Sequence, residues 1–454
     1  MHAGSSSTID TSEPANRPTG SRRTLLRAMT AAAIALPLAL AGCGGGEESP
    51  GADSTASAGP VKLSVFWWGG QARADLTTKV LELYTQKHPN VTFTPEWQAN
   101  QGYTDKLSTR AAANDLPDIF QLDDGMLADY AKRNVTADLT RYVGKNIKTD
   151  KVSKSLVDYG KLYDKNFGIP LAENTPAVVY DKTVLKTLGL AEPEMGWTLE
   201  QWIDLGKQVK AKSNGATLGI MDGSADYRNL WVWMRQQGKE LYTKDGKLGV
   251  TTEDATKWFQ LWADARAQNA TPPADILHTI NTGNVAQQGV ATKKTVNSYV
   301  WSNQLAELQK ATPNELGITS NPGDPKGNFA RASLYFAVGK QSKNAAVAAD
   351  VINFFVNDPE AAKILGYERG LPANNDNRSA VAAGLTPPEQ LGAKFSSELA
   401  GKFASSPSPN LPPKGHPVVR QKLIDSAESV QFGKATPAAA AQAFVDAAKL
   451  AIGG

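Results

Sequence analysis

The chain has very few residues of the kinds that bind metals or form disulfides. Its 454 residues include one cysteine and four histidines. A single cysteine excludes an internal disulfide, so the folded part has to rely on packing of its core. The histidines have no metal-binding spacing, and phosphate-loop, dinucleotide-binding and serine-nucleophile motifs are missing. These absences argue against a metal, a cofactor or a catalytic triad, and they favour a binding protein.

The charge is close to balanced. There are 48 Lys and Arg residues and 45 Asp and Glu residues, which gives a formal net charge of +3 at pH 7. No basic cluster stands out in the sequence. This balance argues against a nucleic-acid partner, and it gives no electrostatic reason to bind a membrane surface.

The N-terminus has the pattern of an export signal. Arg22 and Arg23 precede an apolar run over residues 28–42, which is shorter than the ~20 residues of a spanning helix. The run ends directly before Cys43, as in bacterial lipoprotein signals. We therefore predict a twin-arginine lipoprotein signal peptide (1–42), diacylglyceryl attachment to Cys43 and a flexible tether (43–60). The alternative is an ordinary secretory signal that happens to contain a cysteine.

The first part of the folded chain predicts a parallel sheet. Residues 61–68 are alternating and then solidly apolar, as in a buried strand, and helical spacing follows over residues 76–84. A strand at 91–94, a helix at 103–113 and a strand at 116–122 continue the alternation. This alternation of strands and helices indicates βαβ units, which place the segment in the α/β class.

Helices dominate the middle and the end of the chain. Thr198 and Gln201 form a capping-box pattern, and Trp258 and Trp262 lie on an apolar stripe that predicts a core position. A proline-rich segment at 405–417 predicts a long surface loop. With more than 400 residues after the leader, two domains are expected.

Several sequence blocks together resemble the extracellular solute-binding protein family 1, the carbohydrate receptors of ABC importers. The blocks follow the family's order and lie at 66–70 (FWWGG), 116–123 (LPDIFQLD), 168–181 (GIPLAENTPAVVYD), 196–202 (GWTLEQW) and 356–372, which includes VNDPEAA and ERGLP. Each block is weak by itself, and their combination behind a lipoprotein signal is specific.

The resemblance implies a type II periplasmic-binding-protein-like fold. Two α/β lobes would be joined by crossover segments, and the ligand would lie in the cleft between them. On this pattern, lobe one comprises residues 61–172 with 331–369, and lobe two comprises residues 173–330 with 370–454.

Aromatic residues at predicted cleft positions are candidates for sugar stacking, because a sugar ring offers apolar faces as well as hydroxyl groups. Trp67 and Trp68 alternate at a strand end, so one should face the cleft and the other the core, with Trp68 favoured. Tyr299 and Trp301 lie on one strand face, and one of them is expected to stack.

Polar candidates lie at strand ends and on the first crossover. Asp123 and Asp124 follow the third strand at its carboxyl end, where open α/β sheets bind ligands. The alternative for this pair is capping of the following helix. Asn174 lies on the predicted crossover, and a simple turn residue is its alternative.

Further candidates lie in lobe two and at the later crossovers. Tyr227, Arg228 and Trp231 lie at a predicted helix start, although Trp231 could equally belong to the core. Arg331 and Arg369 flank the other crossovers. A salt bridge that fixes the hinge is their alternative role.

The predicted function is a lipid-anchored receptor on the extracellular face of the cell membrane. It would be a monomer that binds a carbohydrate, most simply an oligosaccharide, and delivers it to the permease subunits of an ABC importer, with no catalytic activity. The alternatives are a surface glycoside hydrolase, a receptor for a non-sugar solute such as an organic anion, and a sensor or adhesin without a transport role.

Overall fold

A computed structural model describes residues 59–99, 102–280, 285–404, 406 and 408–453 of the chain. The predicted signal peptide, Cys43 and nearly all of the predicted tether lie outside the described residues. In the described part of the chain, no helix is both long enough and apolar enough to cross a membrane.

The strands form where apolar and β-branched side chains alternate or run together. They are β1 (Val61–Trp68), β2 (Val91–Gln98), β3 (Ile119–Leu122), β4 (Lys161–Leu162), β5 (Lys165–Asn166), β6 (Ile169–Asn174), β7 (Pro176–Asp181), β8 (Asn297–Trp301), β9 (Leu316–Thr319), β10 (Arg331–Val338) and β11 (Leu371–Pro372).

Most helices begin at a capping residue that the sequence provides. They are α1 (Gln71–Lys87), α2 (Tyr103–Ala112), α3 (Asp124–Lys132), α4 (Lys154–Tyr159), α5 (Lys182–Leu188), α6 (Leu199–Lys212), α7 (Tyr227–Gln236), α8 (Thr252–Ala267), α9 (Ala274–Ile280), α10 (Leu305–Ala311), α11 (Ala345–Asn357), α12 (Pro359–Leu365), α13 (Asn375–Ala382), α14 (Pro387–Phe403), α15 (His416–Gln431) and α16 (Pro437–Ile452).

The larger sheet has the strand order β11-β6-β10-β3-β1-β2. β1 pairs in parallel with β2 and β3, whereas β10 is antiparallel to both β3 and β6. Its apolar side chains join those of α1, α2 and α11 in a first core, whose buried members come from residues 61–171 and 332–373. The predicted βαβ arrangement of the first strands is confirmed.

The smaller sheet has the order β8-β7-β9, and β7 is antiparallel to both neighbours. It packs on two further cores. The second core takes its members from residues 178–329 and 419–448, and the third from residues 177–330 and 395–403. Trp258 and Trp262 are buried in the second core, as their helical spacing predicts.

The chain passes from the larger sheet to the smaller within a single residue. β6 ends at Asn174 and β7 begins at Pro176, so Thr175 alone lies between them. Its backbone is fixed by Ser302, whose Oγ accepts from the Thr175 N–H at 3.2 Å and whose N–H donates to the Thr175 carbonyl at 2.9 Å. The two sheets are therefore held close together at this point.

The helix starts confirm the predicted capping box and show further caps. Thr198 and Gln201 form the expected capping box, in which each side chain accepts from the other's backbone N–H. Asp358 caps α12 with Pro359 at its first position, and Thr436 caps α16. β3 is shorter than predicted, because residues 116–118 form no strand pairs.

A glycine at a close backbone approach tests the packing of the second core. Gly219 has φ +97°, and a Cβ atom there would lie 2.1 Å from the Ala270 carbonyl oxygen. Gly215 has φ +79° with open space around it. We expect Gly215→Ala to cost about 1 kcal/mol through backbone strain alone, and Gly219→Ala to cost a further ~1–3 kcal/mol through overpacking.

Urea unfolding of the two variants would measure this difference. Equal losses in Gly219→Ala and Gly215→Ala would contradict the described backbone approach.

Candidate ligand-binding site

A group of polar and aromatic side chains lies where the two sheets meet. We call it the junction cluster, and its members are Asp124, Tyr159, Arg228, Trp301 and Arg331. Asp124 begins α3 directly after β3, and Arg331 begins β10 of the same sheet. Trp301 ends β8 of the smaller sheet, so both sheets contribute to the cluster.

An ion pair between Asp124 and Arg331 forms the centre of the cluster. Arg331 Nη1 lies 2.6 Å from Asp124 Oδ2, and the Tyr159 hydroxyl donates to the same oxygen at 2.6 Å. Burial by itself would raise the pKa of Asp124, but Arg331, His416 and the Tyr159 hydrogen bond outweigh it and lower that pKa. Asp124 therefore stays ionised and holds the guanidinium in place.

The Arg331 guanidinium also lies over the Trp301 ring. Its central carbon is 4.1 Å from the ring centroid, which is the geometry of a cation–π contact. The Trp301 backbone N–H donates to Gln304 Oε1 at 2.8 Å, and its ring contacts Phe329 edge-on. The contact between Arg331 and Trp301 joins the start of β10 to the end of β8, and hence one sheet to the other.

Arg228 approaches Trp301 from α7. Its guanidinium carbon lies 5.8 Å from the Trp301 centroid, and its Nη2 donates to the Tyr299 carbonyl at 2.8 Å. Its charge is neutralised by Asp226, which caps α7 and pairs with the guanidinium through two nitrogens. Both arginines of the cluster thus have a carboxylate partner.

Asp123 is half-buried next to the cluster. Its Oδ1 accepts from the Met126 N–H at 2.7 Å, so the capping interpretation is confirmed. Burial, followed by the neighbouring charge of Asp124, raises the pKa of Asp123. A ligand-binding role for the Asp123 carboxylate stays a prediction.

Trp67 and Trp68 lie on opposite sides of β1, as strand alternation requires. Trp67 is fully buried in the first core, so its ring has no face open to a ligand in this structure. Trp68 is half-buried and contacts Tyr103 edge-on, with 5.0 Å between ring centroids. Of the two, only Trp68 offers ring surface to a ligand.

Tyr227 and Trp231 also differ in their burial. Tyr227 is half-buried, with the Arg420 guanidinium carbon 4.5 Å from its centroid and the His416 ring edge-on at 5.0 Å. Trp231 is buried in the second core, and its Nε1 donates to Glu240 at 2.9 Å. Trp231 is therefore a core residue, which was the alternative to a ligand-binding role.

Tyr299 and Trp301 are separated by their burial. Tyr299 is buried in the second core, where its hydroxyl accepts from Trp202 Nε1 at 3.2 Å. Trp301 remains half-buried at the junction. The ring of Trp301 is the one that the structure leaves partly accessible.

Asn174 ends β6, and Arg369 lies on the segment between α12 and β11, so both belong to the part of the chain around the larger sheet. Asn174 is opposite Arg331 in the β6–β10 register, and its buried Oδ1 has no hydrogen-bond partner among the described residues. Arg369 is buried elsewhere and donates to Thr77 Oγ1 at 2.7 Å. Burial and the nearby Arg73 lower the pKa of Arg369 to about 9.

The last crossover contains a salt bridge, which was the alternative role for Arg369. The arginine closest to Glu368 there is Arg73. Glu368 pairs with Arg73 at 2.7 Å, and its contact with Arg369 is longer, at 3.5 Å. The pair ties α1 to the segment that leads into β11.

The structure adds residues that the sequence patterns do not reveal. Tyr159, His416 and Arg420 reach the cluster region from α4 and α15, which lie outside the predicted blocks. His416 Nδ1 lies 2.7 Å from the Tyr242 hydroxyl. Asp226 could have been found from the sequence, because an acidic residue directly before the predicted helix start at Tyr227 is a typical N-cap.

Within the described ranges, no group of three or more His, Cys, Asp or Glu side chains could hold a metal ion.

Comparison with known proteins identifies the family. Residues 79–383 match the model of the bacterial extracellular solute-binding proteins. A candidate binding protein of Brucella abortus (strain 2308) is 22% identical over 332 residues, covering 71% of this chain and 78% of that protein. The melibiose/raffinose/stachyose-binding protein MelE of Bacillus subtilis (strain 168) is 26% identical over 147 residues, which is 31% of each chain.

A solved structure shows the same fold. The extracellular solute-binding protein family 1 from Alicyclobacillus acidocaldarius subsp. acidocaldarius DSM 446 superposes with a TM-score of 0.72 and 26% sequence identity, covering 87% of this chain and 100% of that one. The predicted α/β fold of the periplasmic-binding-protein type is confirmed.

The buried histidine next to the cluster predicts a pH effect on stability. Burial, opposed by Asp124 and aided by Arg420 and Arg331, lowers the pKa of His416 to about 3. An unfolded histidine titrates near ~6.5, so below that pH the unfolded chain binds one proton more than the folded chain. This group therefore lowers the free energy of unfolding by about 1.4 kcal/mol per pH unit as the pH falls from ~6.5 towards the folded pKa.

Urea unfolding at pH 7 and pH 5 measures the effect. Between pH 7 and pH 5, we expect the free energy of unfolding of His416→Gln to fall by about 2 kcal/mol less than that of the wild type. His278→Gln, which removes a histidine with a 63% exposed side chain, is the control for the loss of an exposed imidazole. The same loss in His416→Gln as in the wild type would contradict the buried, neutral state of this ring.

Proposed function

Because this chain belongs to the bacterial extracellular solute-binding proteins, we propose that its solute is a carbohydrate, most simply an oligosaccharide. In this proposal the protein captures the sugar outside the cell and delivers it to the permease of an ABC importer. The observation that carries it is the junction cluster, where Trp301 of one sheet meets Arg331 and Asp124 of the other.

The chemistry of the junction suits a sugar. Partly exposed rings of Trp68, Tyr227 and Trp301 can cover the apolar faces of pyranose units. Carboxylate and guanidinium groups can pair with hydroxyl groups, and the half-buried Asp123 adds a carboxylate next to the cluster. The sugar-binding name of the B. subtilis relative supports the same class of ligand.

The charge balance favours a neutral sugar over an organic anion. Arg228 is paired with Asp226 and Arg331 with Asp124, so neither guanidinium carries an uncompensated charge for an anion. A receptor for an anionic solute would need unpaired cations at these positions. The two pairs therefore argue against an anion bound at Arg228 or Arg331, whereas the exposed Arg420 over the Tyr227 ring is a further cation of this region.

Ligand capture would use the connection between the sheets. The proposed lobes, 61–172 with 331–369 and 173–330 with 370–454, meet at short crossovers such as the one at Thr175. A sugar that contacts both lobes favours a closed arrangement only by its difference in affinity for the two states. The closed, loaded receptor would then bind the permease.

A thermal-shift screen with melibiose, raffinose, stachyose and other sugars tests the carbohydrate assignment. A ligand at 100 times its dissociation constant adds about 2.7 kcal/mol of stability, which raises the melting temperature by several degrees. We expect a shift with at least one sugar and intact sugar recovered afterwards. Cleaved sugar would support the hydrolase alternative, and shifts only with carboxylates would overturn the sugar assignment.

Trp301→Ala tests whether the junction cluster is the site. We expect sugar affinity to fall at least tenfold, because a stacking surface of ~1 kcal/mol or more is lost together with the contact that orients Arg331. Trp97→Ala removes a 39% exposed tryptophan on β2 and serves as the control. If Trp301→Ala and Trp97→Ala bind sugar equally well, the ligand lies elsewhere.

The membrane attachment is part of the same proposal. A diacylglyceryl group on Cys43 supplies two acyl chains, which is enough for stable anchoring. The tether that follows would keep the receptor near the permease and raise its local concentration. We expect the wild-type protein to incorporate labelled palmitate in its host and Cys43→Ser to incorporate none. A wild-type protein that carries no label would exclude lipidation at Cys43.

A further inference from the structure

A proline-rich segment before α15 lies between the two proposed lobes. We call residues 408–415 the strap, and α15 begins directly after it at His416. Pro409, Pro412 and Pro413 of the strap are buried, although their segment has no regular secondary structure. In sequence the strap belongs to the proposed second lobe, but three of its residues contact the proposed first lobe.

The contacts with the first lobe recur at every third residue of the strap. Ser408 Oγ donates to the Ser155 carbonyl oxygen at 3.2 Å, and Lys414 Nζ lies 3.4 Å from Asp129 Oδ1. Between them, the half-buried Leu411 packs against the first core. A spacing of three is that of one face of a polyproline II helix, which prolines favour. One face of the strap is therefore turned to the first lobe.

Other residues of the strap hold it on the second lobe. Asn410 Nδ2 donates to the Tyr242 carbonyl oxygen at 2.8 Å. Gly415 has φ +95°, and a Cβ atom there would lie 2.2 Å from the Ala451 carbonyl oxygen. The strap thus ends in close contact with the last turn of α16. It remains attached to the second lobe whether or not its first-lobe contacts are made.

The first-lobe contacts of the strap lie on the two helices that carry part of the junction cluster. α3 carries Asp129 and begins at Asp124, and α4 carries Ser155 and ends at Tyr159. An α-helix rises 1.5 Å per residue, so Asp129 lies about 7.5 Å along α3 from Asp124. The strap therefore bridges the proposed lobes beside the candidate site, and its contacts have to break when the lobes separate.

The prolines make the strap stiff. A proline fixes its own φ and restricts the residue before it, so Ser408 and Leu411 have few alternative conformations. Because little conformational freedom is lost when a stiff segment docks, weak contacts are enough to hold it in place. The strap can therefore dock and release as a unit.

We propose that the strap is a latch that holds the two lobes together and limits how fast a sugar enters and leaves the cleft. The inference rests on the proposed two-lobe, sugar-binding function. All the contacts of the latch are made within the protein, so they stabilise the latched arrangement equally with and without a sugar. Such a device changes the rates of binding and release and leaves the affinity nearly unchanged.

A strap variant without the first-lobe contacts tests the latch before any sugar is added. Ser408→Ala/Leu411→Ala/Lys414→Ala removes the three contacts and keeps all the prolines. In small-angle X-ray scattering of the full chain, this variant should have a larger radius of gyration than the wild type, because its lobes separate more often. Lys414→Glu, which places a like charge beside Asp129 on a 72% exposed side chain, gives a second route to the same shift if the triple variant does not fold.

A matched control comes from α14. Leu391→Ala/Lys394→Ala/Ser397→Ala changes the same three residue types at exposed positions. Lys394 pairs with Glu398 and Ser397 donates to the Ala393 carbonyl oxygen, so these two contacts stay within one helix. The control should have the radius of gyration of the wild type.

Binding kinetics of raffinose, followed by tryptophan fluorescence in a stopped-flow instrument, separate a latch from a sugar contact. We expect the strap variant to raise both the association and the dissociation rate constant about threefold or more, through the loss of one apolar and two polar contacts. The dissociation constant should change by less than about twofold, since the latch acts equally on both states. A lost sugar contact would instead raise the dissociation rate alone and weaken the affinity. The α14 control should match the wild type.

The latch is overturned if the strap variant and the α14 control have the same radius of gyration. It is also overturned if the strap variant weakens raffinose binding with an unchanged association rate, since the strap would then belong to the binding site. If raffinose binds to none of the proteins, that result counts against the sugar assignment, and the scattering comparison still decides on the latch. The two proposals therefore fail distinguishably.

Discussion

The position of Arg331 between Asp124 and Trp301 is the constraint on which the arrangement of this protein depends. The guanidinium is held 2.6 Å from a buried carboxylate of one sheet and 4.1 Å from the ring of the other. A buried ion pair repays its desolvation only when its geometry and hydrogen bonds are good. Here Tyr159 adds a hydrogen bond to the same carboxylate oxygen. If the two sheets moved apart, Asp124 and Arg331 would stay paired beside the larger sheet, and the contact of the guanidinium with Trp301 would be lost.

That constraint explains why the junction can be polar and still be stable. Arg228 and Arg331 each have a carboxylate partner, and His416 next to them is held neutral by burial. The charges of Asp124, Arg228 and Arg331 are therefore compensated within the protein, whereas Arg420 is an exposed cation beside Tyr227. What remains for a solute is ring surface on Trp68, Tyr227 and Trp301 together with polar atoms at fixed positions, which is a surface suited to a neutral polyhydroxylated molecule.

The smaller sheet has a second role besides supplying Trp301. β8 carries Tyr299 into the second core, where that residue bonds to Trp202. The same strand thus contacts the junction at its end and the second core one alternation earlier. Because strand side chains are spaced by fixed distances, the position of Trp301 depends on the packing of Tyr299.

The sequence by itself determined the elements with a local physical cause. The alternation in β1, the capping box at Thr198, the helical stripe of Trp258 and Trp262, and the family resemblance all depend on residues close together in the chain, and the structure or the comparisons confirm them. The lobe boundaries, the lipid on Cys43 and the sugar-contacting residues remain predictions. Tertiary structure alone decided that Trp67, Trp231 and Tyr299 are buried while Trp68, Tyr227 and Trp301 are partly open. It alone brought Tyr159 and His416 towards Asp124. Burial and long-range pairing depend on how separate segments pack, and no local pattern in the chain contains that information.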